Sequence, residues 1–101
     1  MNLEEAREII KQPIDGRTFR FIMAASEICS PKNSGFVSIN ELLECLRLGN
    51  QAKRFTLIAE YAAIALYTRT GRQREEDCLA ITDVDDWVSY LISHDKSDVI
   101  H

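Results

Sequence analysis

SPKNSGFVSINELLECLRLG, residues 30–49, decides how this chain folds. Ser30 to Gly35 is a run of turn formers, and Gly35 is free to take the positive φ that other residues resist. Phe36 and Val37 follow as a short extended step. Ser38 and Glu41 then have capping-box spacing: each side chain can satisfy a backbone donor at the start of a helix, and the serine cap alone is worth about 1 kcal/mol. Ile39, Leu42, Leu43 and Leu46 recur at i, i+3, i+4 and i+7, the period of a helix with one buried face. Gly49 reads as the stop of that helix.

Working outward toward the N-terminus, Leu3, Ala6, Ile9 and Ile10 share one helical face. Glu4 and Glu5 near its start and Lys11 near its end match the helix dipole, and Pro13 ends it. Asp15 is placed to cap a second helix from about Gly16 to Ile28. Phe19, Ile22 and Met23 are its expected inward stripe, widened by Phe21.

Toward the C-terminus, a helix over residues 51–67 is apolar on nearly every side from Phe55 onward, so more than one of its faces has to be covered. Two arrangements satisfy that demand: a central helix around which the others pack, or half of a subunit interface. Phe55, Ile58, Ala59, Ala62 and Leu66 are the residues through which self-association is expected. After Thr70-Gly71 a charged stretch leads into Leu79-Ala80-Ile81-Thr82, which reads as a short strand or a buried connector. Asp83 then opens a last helix in which Val84, Trp87, Val88 and Leu91 repeat the spacing of Ile39 to Leu46, with Asp86 in the place of Glu41. The tail 94–101 is polar and is expected to fray. The fold class is all-α: one domain over 1–101, about five helices around the apolar helix 51–67. A short β-hairpin or paired strands near 36–37 and 66–82 stay open.

The totals narrow the function. At 101 residues, with 46% hydrophobic and 28% charged residues and only two Pro and four Gly, the chain has the composition of one globular domain. Its apolar runs fall short of the roughly 18 residues of a membrane span, and MNLEEAREIIK is amphipathic rather than basic-then-apolar. A cytoplasmic protein with no membrane partner is expected. Cys29, Cys45 and Cys78 form no CxxC pair and have no histidine at zinc-ligand spacing, so reduced thiols are expected, with Cys45 in the core. The net charge of −4 is unevenly spread. Lys53, Arg54, Arg69, Arg72 and Arg74 against Glu60 make residues 51–74 a +4 segment and leave −8 for the rest.

Residues 30–46 resemble an EF-hand helix-loop-helix. Gly35 falls at the sharp turn, Val37 at the short strand position and Glu41 at the last ligand, with Leu42, Cys45 and Leu46 in the exit helix. Ser30, Lys32 and Ser34 stand where such a loop carries Asp or Asn, so the resemblance implies a metal-free helix-loop-helix and no calcium. A longer part of the chain resembles a winged helix-turn-helix domain: a helix to Ile28, the step at Phe36-Val37, helices at 38–48 and 51–67, then a hairpin. That resemblance implies a DNA-binding transcriptional regulator, with Gln51, Lys53 and Arg54 on the recognition helix and Arg69, Arg72 and Arg74 near the wing.

The sequence carries no catalytic constellation. Ser93-His94-Asp95 has the residue types of a triad, but neighbours on a helix point about 100° apart. Asp83, Asp85 and Asp86 suit the start of a helix better than a metal site. No cofactor is expected. The leading expectation is a non-enzymatic helical interaction module that self-associates and binds a protein partner, with a regulatory role within its scope. The winged-helix regulator using Gln51, Lys53, Arg54, Arg69, Arg72 and Arg74 is the alternative.

Overall fold

The computed structural model describes residues 1–13, 18–51, 56–73 and 81–94. Among these residues five α-helices run in the order α1 (Leu3–Ile10), α2 (Thr18–Cys29), α3 (Ile39–Asn50), α4 (Thr56–Thr70) and α5 (Val84–Ser93), with a 3-10 turn at Pro31–Asn33 between α2 and α3. The two broadest helix contacts are α3 with α4 and α1 with α2, and α2 also packs on α4. Tyr67 near the end of α4 meets Trp87 of α5 edge-on, ring centroids 5.0 Å apart. The apolar helix is therefore the central one, and Ile58, Ala59, Ala62, Ala63, Leu66 and Tyr67 are buried along it.

The capping box opening α3 forms as its spacing predicts: Ser38 Oγ accepts from Glu41 N–H at 3.2 Å, and Glu41 Oε1 accepts from Ser38 N–H at 3.4 Å. Asp83 caps α5 by accepting from Asp85 N–H at 2.9 Å. The two helix starts therefore match as capped helices, with different bonding at the cap.

Three local expectations are corrected. Phe19 and Met23 are exposed, and the inward face of α2 is Phe21, Ala24, Ala25 and Ile28. That set has the same i, i+3, i+4, i+7 spacing as α3. Its alanines let α2 lie close to its neighbours, which the bulkier stripe of Phe19 and Met23 would prevent. Gly49 is not a stop, because α3 continues through it to Asn50. It is buried where α3 crosses α4, and a Cβ there would sit 2.4 Å from the backbone nitrogen of Ala59. Among the described residues the glycine with positive φ is Gly71 (φ 75°), which ends α4, and not Gly35.

Among the described residues no strand forms. Val37 is buried and Phe36 exposed. Their carbonyls bond to arginines from other helices: Arg7 of α1 donates to Phe36 O at 2.5 Å, and Arg69 of α4 donates to Val37 O. These guanidinium groups take acceptors that a neighbouring strand would otherwise need. Residues 66–70, expected as the start of a hairpin or loop, are the last turns of α4. Of the rest of that expectation, residues 71–73 and 81–82 form no strand, and 74–80 lie outside the described residues.

Candidate functional site

The 3-10 turn is tied to the end of α2. Asn33 Nδ2 donates to the backbone carbonyl of Glu27 at 2.8 Å and approaches its carboxylate at 3.3 Å, and Lys32 Nζ lies 3.3 Å from the same carboxylate. Asn33 first, and Lys32 with it, hold the Glu27 carboxyl below its ordinary pKa. Lys32 is thus paired on the outside of the turn. Glu41, the last-ligand position of an EF-hand-like loop, is also engaged. Arg7 grips it with Nε at 2.8 Å and Nη2 at 3.2 Å, joining α1 to the start of α3. Partial burial pushes the Glu41 carboxyl up, but the bonds from Arg7 and Ser38 outweigh it and leave the group below its ordinary value.

Fixing the turn against α2 and drawing Val37 under Arg69 leaves a groove of about 470 Å³ between the end of α2, the turn and α4. Its floor and walls are mostly apolar: Ile28, Val37, Leu42, Tyr61, Ile64 and Ala65. Ser26, Ser30, Ser34 and Thr68 place hydroxyls around it. Arg69, at one end, is the single formally charged residue among the described ones that line it. The size and lining suit a binding cleft with an apolar floor and a few orienting polar groups.

The residues assigned from sequence divide into four sets. Lys53, Arg54, Phe55 and Arg74 lie outside the described residues. Gln51 is exposed at the end of α3. Arg69 and Arg72 both have internal partners. The Arg72 guanidinium lies over Trp87 and Tyr90, 4.8 and 4.6 Å from the ring centroids, and its Nη1 is 2.9 Å from Asp86 Oδ2. That nitrogen makes no well-aligned hydrogen bond, so charge attraction and the ring faces hold it. Trp87 is fixed in turn by donating from Nε1 to Ile81 O at 2.8 Å. Arg72 therefore clasps α5 to the segment after α4. Of the self-association residues, Ile58, Ala59, Ala62 and Leu66 are buried within the chain's own core. They face α2 and α3 because α4 is central, and the apolar surface α4 leaves open is Leu57 and Ile64 instead.

The groove residues on α2 were hidden from the sequence by the choice of stripe. Taking Phe21, Ala24, Ala25 and Ile28 as inward turns Phe19, Met23 and Ser26 outward together, and that pattern was the available signal. Cys45 is buried beside Cys29, and a hydrogen bond with Cys29 together with burial pushes the Cys45 thiol up, away from the reactive thiolate form. Ser93 Oγ lies 3.0 Å from His94 Nδ1, but both groups also reach the Tyr90 carbonyl, at 3.0 and 2.9 Å, in the last turn of α5. Among the described residues no three His, Cys, Asp or Glu side chains converge as metal ligands would, and no helix is long and apolar enough to cross a membrane.

The chain matches no protein-family model, no curated protein and no solved structure.

Proposed function

We propose that this chain is a non-enzymatic protein-interaction module whose docking face is the groove between α2 and α4. The observation that carries the reading is the exposed apolar side of the central helix: Leu57 and Ile64 are partly exposed beside a cleft with an apolar floor, although Ile58, Ala59, Ala62, Ala63, Leu66 and Tyr67 of the same helix are buried. An apolar patch of that kind on a small domain marks a place where another surface sits. Ile58, Ala59, Ala62 and Leu66, the residues through which self-association was expected, are buried in the chain's own core, so docking on α4 falls to this face.

A photo-crosslinking side chain in place of Ile64, with the same group in place of Ile92 on α5 as the control, tests the reading in the cells that make the protein. A discrete protein adduct at position 64 and none at 92 is the expected outcome. Equal or absent labelling at both positions refutes it. An adduct of twice the chain mass identifies a second copy.

A further inference from the structure

We infer that the groove takes an amphipathic helix of another protein, about three turns long, that carries a carboxylate at the end lying beside Arg69. The inference rests on the docking reading above and adds the shape and charge of the occupant.

Both walls of the groove continue past it as apolar ridges. Ser26 lines the cleft from α2, and Met23 and Phe19 stand three and seven residues before it on the same helical face, 42% and 73% exposed. On α4, Leu57, Tyr61, Ile64 and Thr68 are spaced by four, three and four residues, a single stripe in which Leu57 is 39% and Ile64 46% exposed. At 1.5 Å per residue this stripe runs for about 16 Å, roughly three turns of a docked helix. A small molecule confined to the cleft would leave Phe19, Met23 and Leu57 uncovered. A helix laid between the ridges would cover them with apolar residues at i, i+3 or i+4, and i+7.

Charge separates a foreign helix from a second copy paired through α4. Arg69 spends one amino group on Val37 O, and a guanidinium carries five donors, so several remain to face a carboxylate at the groove end. Glu60, an exposed carboxylate on α4, lies nine residues from Arg69, which puts it half a turn away on the opposite edge of the helix. In an antiparallel two-fold pairing of α4 with itself, each edge meets the same edge of the copy. In a parallel pairing, each residue meets its own level. In neither does Glu60 reach Arg69. Pairing of α4 with its copy would thus leave the cation at the groove end unmatched, whereas a docked helix that brings its own acid to that end matches it.

The test is selection of helix-forming 16-residue peptides, displayed on phage and randomised on one face, against the full-length protein, followed by fluorescence anisotropy of the enriched peptides. Enrichment of an apolar i, i+3/i+4, i+7 face with Asp or Glu at one end is expected. Thr68→Glu should weaken binding at least tenfold, Thr68→Lys should preserve or tighten it, Ile64→Asp should abolish it, and Ile92→Asp should leave it unchanged. The Thr68 pair keeps the test independent of the Arg69–Val37 bond, and the circular dichroism of each variant reports that it has folded. Failure to enrich any peptide, enrichment of basic or uncharged faces, or equal affinity of Thr68→Glu and Thr68→Lys overturns the inference. A concentration-dependent dimer lost in Ile64→Asp also overturns it, by making a second copy the occupant, while leaving the docking reading intact. If neither peptide binding nor dimerisation responds to Ile64→Asp, both readings fall.

Discussion

A methyl group added at Gly49 would lie 2.4 Å from the backbone nitrogen of Ala59 and 2.8 Å from its Cα. Two opposing effects follow from Gly49→Ala. The helix gains about 1 kcal/mol of intrinsic propensity. Against it, α3 and α4 must separate along their broadest contact, and overpacking of that kind costs about 1–3 kcal/mol, more where backbone is struck. Net destabilisation is expected, seen as a lower urea midpoint with an unchanged slope. Glu41 offers a second test at this scale. Its carboxyl is held below the ordinary value when folded, whereas in the unfolded chain it titrates near about 4.3. The Arg7–Glu41 link thus contributes in full above that pH and is lost as the pH falls through the lowered folded pKa. Glu27, lowered by Asn33 and Lys32, has the same sign. Glu41→Gln should flatten the fall in urea midpoint between pH 7 and pH 3, and an unchanged profile would show that Arg7 does not hold the carboxylate in solution.

At the scale of the element, α2 is where burial and side-chain bulk disagree. Phe21→Ala should cost about 3–5 kcal/mol, the usual loss for a fully buried phenylalanine, and Phe19→Ser within about 0.5 kcal/mol. The reverse order in thermal unfolding would restore the bulkier stripe as the inward one. The start of α3 was legible because capping is local. Ser38 and Glu41 are three residues apart and need no distant partner, so Ser38→Ala should cost about 1 kcal/mol. The extended step before it was not legible. Its carbonyls bond to Arg7 and Arg69, 29 and 32 residues away in sequence. Nothing near Phe36-Val37 announces those partners. The arginines at 69 and 72 were likewise visible as positive charge but not as structural clasps, since Arg72 meets Trp87 and Tyr90 only when α5 folds back.

For the whole molecule, the interaction-module reading predicts no salt-sensitive retention of mixed duplex DNA at low ionic strength, because Arg72 is held by Asp86, Trp87 and Tyr90 and Arg69 stands at the end of an apolar groove. Binding that weakens steeply with salt, and that is lost on replacing Lys53, Arg54 and Arg74 by Ala, would favour the nucleic-acid alternative. The residue pattern by itself determined the helical class, the helix starts at Ser38 and Asp83 and the exceptional hydrophobicity of α4, because capping and hydrophobic period act between residues at most one or two turns apart. Only the tertiary structure decided which face of α2 is buried, that Gly49 is a crossing point rather than a stop, and which side of α4 remains open. Those outcomes depend on how closely helices distant in sequence approach, and that distance is set by the small residues Ala24, Ala25, Gly49 and Ala59 where they meet. The groove is the remainder of that packing: the apolar surface of α2 and α4 that no other described helix covers.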